Sequence, residues 1–93
     1  MTYKVTEPAP VVGTTPVVLG EKKKVESEFI IFNNSETESL LIMVTDDPNQ
    51  SISTTLFSYE IAPRGTRELR PYENGVVSAM RKTGSATVMI TKG

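Results

Sequence analysis

A chain of 93 residues makes one domain, because a second core would not fit. A net charge of −1 gives no general attraction to nucleic acid or to acidic membranes, so neither is an expected partner. With no His and no Cys, the chain lacks the usual general base near neutral pH, a thiol nucleophile, disulfides and the common ligands of zinc and iron.

Residues 1–15 read as an extended N-terminal arm. Pro8, Pro10 and Pro16 donate no ladder hydrogen bond, Gly13 adds freedom, and no regular alternation marks a central strand. Val11 and Val12 are apolar nonetheless, so they lie either on the edge of their own domain or on a neighbour. The opening Met-Thr-Tyr-Lys leads into no apolar stretch, so no secretory signal is expected. The longest apolar run, residues 40–44, is far too short to cross a bilayer, which makes the cytosol the expected place of synthesis.

Residues 16–93 form the expected β-domain. Residues 16–19 suit a short edge strand ended by Gly20, and Glu21-Lys22-Lys23-Lys24 suits a charged, solvated hairpin turn rather than a phosphate site. Residues 25–33 alternate as the first long strand, with Val25, Ser27, Phe29 and Ile31 on one face. The other face changes from Glu26 and Glu28 to Ile30 and Phe32, so that end is expected to be covered on both sides. Residues 40–45 are the most hydrophobic strand and belong in the middle of a sheet, because LLIMV at an open edge would invite aggregation. Asp46-Asp47-Pro48-Asn49 lacks the spacing of a calcium loop and reads as a turn held by Asp side chains.

Residues 54–61 alternate again, with Thr55, Phe57, Tyr59 and Ile61 on one face. Pro63-Arg64-Gly65 has turn chemistry, with Gly65 the residue free to take positive φ, and residues 66–69 make a short strand. Turn signals at Asn74-Gly75 and Thr83-Gly84-Ser85 then bracket a closing hairpin. In it Val77, Ala79 and Arg81 alternate with Val76, Ser78 and Met80, followed by a last strand around Val88 and Ile90.

Turn signals about every ten residues, with no helical stripe anywhere, predict an all-β fold: an antiparallel β-sandwich of six to seven short strands with an extended N-terminal arm. The expected core is Val25, Phe29, Ile31, Leu40, Ile42, Val44, Phe57, Tyr59, Ile61, Leu69, Val77, Ala79, Val88 and Ile90.

No catalytic, cofactor or metal residues are expected. Glu26 and Glu28 share a strand face at about 7 Å, a spacing that suits a glycosidase pair. Such a pair needs a deep cleft, for which a chain this short leaves little room, so a binding or building module is expected rather than an enzyme. Charge is unevenly placed. Residues 25–63 hold seven acids and no Lys or Arg, whereas residues 64–93 hold six bases and two acids. Either these strands pair across the sheets, or the molecule has an acidic and a basic face suited to contact between copies. Arg64, Arg67 and Arg70, at three-residue spacing, form either a cluster for a carboxylate-rich partner or a solvated edge that discourages strand addition. With Pro8, Pro10, Val11 and Val12 they are the candidate partner-binding residues.

The order of these pieces carries a resemblance. An extended arm precedes a strand ending in Phe32-Asn33-Asn34-Ser35, an apolar strand, and a strand running into Ala62-Pro63-Arg64-Gly65-Thr66. Then come a long turn over residues 69–75, Val76-Val77-Ser78-Ala79, and Gly84-Ser85-Ala86-Thr87-Val88. Residues 25–91 thereby resemble the small β-sandwich modules of tailed bacteriophage virions: head decoration proteins, head-tail accessory proteins and fibre domains. The chain departs from a fibre in having no coiled coil or repeat. The resemblance implies a capsid decoration or cement protein, located in the virion, that binds the major capsid protein and itself, with a trimer favoured. The other class left open is a soluble inhibitor or adhesion domain that recognises a protein or glycan through its loops.

Overall fold

The computed structural model describes residues 5–22, 29–47, 49–69 and 75–92, and among these it contains no helix. Eight strands follow in order: β1 (Val5–Val12), β2 (Val17–Lys22), β3 (Phe29–Asn33), β4 (Leu40–Thr45), β5 (Tyr59–Ile61), β6 (Thr66–Glu68), β7 (Gly75–Met80) and β8 (Ala86–Lys92). They form two antiparallel four-stranded sheets, β1-β8-β3-β6 (sheet 1) and β2-β7-β4-β5 (sheet 2), packed as a sandwich.

The connectivity has one simple rule. β1 pairs with β8, β2 with β7, β3 with β6 and β4 with β5. The chain is therefore one long hairpin ribbon, doubled back through residues 46–58 and rolled so that successive strand pairs fall in alternate sheets. The pairs β3–β8 and β4–β7 close the roll. Two four-stranded sheets wound this way make an eight-stranded jelly roll.

The expected sandwich is present, with more strands than the six or seven expected. The additional strand is β1. Residues 5–12 pair with β8 from Val5↔Lys92 to Val12↔Ala86, on the edge of their own domain, one of the two places the sequence allows for Val11 and Val12. Proline tells against a central strand but not against this one. β1 lies at the edge of its sheet, and a bulge between Pro8 and Val11 takes up the irregular donors. Gly20 likewise does not end β2 but sits in a bulge opposite Val77. The expected strand over residues 54–61 shrinks to β5, because a bridge between Ser53 and Leu56 folds its first half into a tight turn. Residues 25–28, including Val25, Glu26 and Glu28, lie outside the described residues.

The core between the sheets contains Phe29, Ile31, Leu40, Ile42, Ile61, Leu69, Val77, Ala79, Val88 and Ile90, all expected, together with Val12 and Leu19. Val44 and Tyr59 are half-buried against it. A second, smaller cluster explains why β4 is apolar on both faces. Leu41 and Met43 point away from the sandwich with Met80, and Ile52 and Phe57 of the 46–58 loop fold over them.

The connections β1–β2, β3–β4, β5–β6 and β7–β8 gather at one end of the roll, and a buried polar knot ties them together. Arg81 is fully buried. Its Nε donates to the Val12 carbonyl at 2.9 Å, and its Nη1 donates to Asn33 Oδ1 at 2.8 Å and to the Glu38 carbonyl at 3.1 Å. Nη2 reaches the Ala86 and Thr87 carbonyls at 3.4 Å. Asn33, also fully buried, uses Nδ2 to donate to the carbonyls of Glu38, Ile61 and Ala62 at 2.8–3.1 Å. Burial lowers the Arg81 pKa from its ordinary value and the nearby Glu38 carboxylate raises it, the burial being the larger effect. An arginine remains charged at any accessible pH regardless.

Candidate functional site

The described residues contain no cluster of three or more Asp and Glu side chains able to hold a metal ion. Asp47 is occupied locally: its Oδ1 accepts the Asn49 N–H at 2.9 Å, and its own N–H donates to Thr45 Oγ1 at 3.0 Å. This is the side-chain-stabilised turn that the sequence suggests at Asp46-Asp47. The knot at Arg81 and Asn33 is saturated by its own chain and leaves no donor for a ligand. What the fold offers instead is surface.

The first surface is the outer face of sheet 1. Because β3 buries Phe29, Ile31 and Asn33, it turns Ile30 and Phe32 outward. On β8, Val88 and Ile90 go in while Thr87 and Met89 come out. The register sets these side by side: Phe32 lies between Met89 and Thr66, and Ile30 between Thr91 and Glu68. Val11, 61% exposed, and Met89, 38% exposed, extend the apolar surface toward β1. The sequence led us to expect the apolar end of this strand to be covered on both sides. The Arg64 guanidinium lies over Phe32, 5.2 Å from the ring centroid, and Ile30 and Phe32 are half-buried.

The second surface is a groove of about 340 Å³ on the outer side of sheet 2, between β2, β7 and the 46–58 loop. Val18, Val76 and Ile52 give it an apolar floor, and Asp46, Asp47 and Gln50 stand at its rim. Val18 is the most exposed large apolar side chain among the described residues, at 65%.

The candidate partner-binding residues do not come together. Arg64 lies in the turn that precedes β6 and Arg67 within β6, and their side chains go to opposite sides of the sheet. Arg64 lies on the outer face, its Nη1 donating to Asn34 Oδ1 at 2.8 Å, while Asn34 Nδ2 donates to Thr87 Oγ1 at 2.8 Å. Arg67 turns inward at the open edge of the sandwich, stacked on Tyr59 at 3.8 Å from the ring centroid, with its buried Nε making no hydrogen bond. Both arginines meet neutral groups. Arg70 lies outside the described residues. Val12 is wholly buried and presents no side chain to a partner, whereas its neighbour Val11 does. Pro8 and Pro10 belong to the edge strand β1.

The turn that carries Arg64 is strained in an informative way. The Gly65 N–H donates to the Ala62 carbonyl at 2.9 Å, closing a turn over residues 62–65. The positive φ of that turn, 62°, falls on Arg64 and not on Gly65. Gly65 is needed for space, since a Cβ there would lie 2.9 Å from the Ala62 carbonyl oxygen. An arginine held at positive φ is uncommon and costs on the order of 1–3 kcal/mol. Residues missed by sequence reasoning, Met89 and Glu68 on the outer face, carried a signal in the alternation of β8 and β6.

Comparison of the chain with protein-family models, with curated proteins and with solved structures returned no match.

Proposed function

We propose that this chain is a non-enzymatic virion structural protein, a capsid decoration or cement protein that binds a major capsid protein and copies of itself. The observation that carries the reading is the outer face of sheet 1. The outer face of an antiparallel sandwich is ordinarily polar, yet here Ile30, Phe32 and Met89 are neighbours by register, Val11 is exposed further out on β1, and an arginine is braced above Phe32. Apolar surface of this kind, rimmed by polar groups, suits protein–protein contact. The jelly-roll winding, an architecture common among capsid domains, is compatible with the proposal but assigns no function by itself.

The test is co-sedimentation of the purified protein with empty tailed-phage capsids stripped of decoration. Saturable binding that Met89→Asp removes, in a variant that still folds, supports the proposal. Failure to bind capsids overturns the virion assignment.

The groove of sheet 2 favours a second reading, a soluble binding module. Its volume is at the lower end of ligand sites and its lining mixes apolar floor with a few polar groups. Among the described residues its lining holds no aromatic side chain for stacking on a sugar.

A further inference from the structure

We propose that two copies of this chain pack the outer faces of sheet 1 against each other about a two-fold axis that runs across the strands, along the row Met89–Phe32–Thr66. The inference rests on the reading of that face as an assembly surface, but it does not depend on a capsid.

The register supplies the geometry. Phe32 is directly opposite Met89 on one side and Thr66 on the other, so these three residues form a line perpendicular to the strands. Arg64 precedes Thr66 by two residues and Glu68 follows it by two, on the same outer side. By strand rise Glu68 stands roughly 7 Å from the line on one side. Arg64, in the turn that leads into β6, approaches from the other side, its guanidinium reaching to 5.2 Å from the Phe32 ring centroid. The Arg64 guanidinium is fixed by Asn34 and the Phe32 ring, and Glu68 is exposed beside Ile30.

A face that meets its own copy must do so about an axis lying in the plane of contact. An axis along the strands would set Arg64 against the β1 side of the other copy, where the described outer side chain is Val11. An axis across the strands, along the Phe32 row, exchanges above for below. Arg64 of each copy then meets Glu68 of the other, twice. Phe32 and Met89 meet their own counterparts, and Ile30 comes to lie under the Arg64–Asn34 pair. Among the described side chains, the face is thus self-complementary in charge and in apolar contact in the second arrangement.

Its extent fits a reversible dimer. Four strands at about 4.8 Å and some five residues at about 3.3 Å span a patch of roughly 300–400 Å² in plane on each copy. Corrugated accessible surface exceeds the planar area, so the pair buries on the order of 1,000 Å², near the lower limit of specific interfaces. An isologous contact of this kind closes at two copies and not at the three that the sequence suggested.

The test is sedimentation equilibrium of the purified protein without capsid, from about 10 µM to 1 mM, a range suited to an interface of this size. The wild type is expected to dimerise reversibly, more weakly in high salt. Arg64→Glu and Glu68→Arg should each weaken the dimer by at least about tenfold, since each places like charges opposite one another. The double variant Arg64→Glu/Glu68→Arg should restore it. Thermal melts establish that each variant is folded, and Glu68→Arg, at an exposed strand position, provides the arm least exposed to misfolding. Monomer throughout the range overturns the proposal, as does a trimer, or a double variant no better than the singles. A dimer with no affinity for capsids retains this inference and removes the virion assignment.

Discussion

Arg81 Nη1 donates to Asn33 Oδ1 at 2.8 Å in a site closed to solvent, and between them the two side chains hold the carbonyls of Val12, Glu38, Ile61, Ala62, Ala86 and Thr87. Those carbonyls lie in, or on the strand ends beside, all four connections at one end of the roll. A buried arginine without a carboxylate in contact is expensive to desolvate, and it is tolerated here because its donors are met. The knot therefore specifies how the ends of the ribbon are stacked.

Removing the cation should be costly. Arg81→Met leaves Asn33 Oδ1 and several carbonyls without donors and is expected to lose about 3–5 kcal/mol, read from urea denaturation. Asn33→Asp makes a sharper comparison, because it places a carboxylate beside Arg81 yet removes the donor to three carbonyls. With each orphaned carbonyl costing about 1–3 kcal/mol, the variant should still be less stable than the wild type. A gain in stability would mean that charge pairing, and not satisfaction of the carbonyls, governs the site.

The N-terminal segment belongs to the fold. Val12→Ala, at a fully buried position, is expected to lose about 2 kcal/mol, whereas Val11→Ala should change stability by less than about 0.5 kcal/mol. Deleting residues 1–13 removes β1 and the acceptor of Arg81 Nε, so the truncated chain should melt far below the intact one or fail to fold. Calorimetry of the three proteins decides this; an unchanged melting temperature on deletion would show that β1 is dispensable.

The turn at residues 62–65 separates stability from assembly. Gly65→Ala drives a Cβ toward the Ala62 carbonyl and the Ile61 side chain and should cost about 1–3 kcal/mol. Arg64→Gly relieves a positive φ while losing the Asn34 hydrogen bond and the stacking on Phe32, so its net effect on stability should stay within about 1 kcal/mol. The same variant should lose self-association. Melting curves set beside sedimentation of the two variants test both halves of the expectation.

The parts of this fold that were legible in the sequence are those where one local rule decides. β7 and β8 follow from alternation bounded by turn residues and β4 from its uninterrupted apolar run, and the inward choice of Val77 and Val88 holds in the structure. β1 was not legible, because two prolines argue against a strand until an edge position and a bulge make room for them. The first half of the 54–61 segment was misread because Ser53 Oγ accepts the Thr55 N–H at 3.3 Å, a local bond that competes with the ladder. Arg81 and Asn33 were in plain phase with their buried neighbours, Arg81 with Val77 and Ala79, Asn33 with Phe29 and Ile31. Their polarity hid them, and only the facing carbonyls of distant connections explain why polar groups may lie there. Arg64 and Arg67 are set apart, Arg64 in the 62–65 turn over Phe32 and Arg67 within β6 on Tyr59, and Arg70 lies outside the described residues.

The pairing of each strand with its mirror in the chain also orders events in time. β4 and β5 are neighbours in sequence, while β1 and β8 stand at opposite ends. Once an inner pair has formed, the next pair outward has only a short loop left to close, and closure entropy grows slowly with loop length. Closure entropy therefore favours zipping from residues 46–58 outward, with the bond from Arg81 to the Val12 carbonyl expected among the last to form. Bonds absent from the folding transition state act on the reverse rate. The Arg81–Val12 bond is thus expected to act as a latch, with little effect on the folding rate and more on how long the closed roll persists.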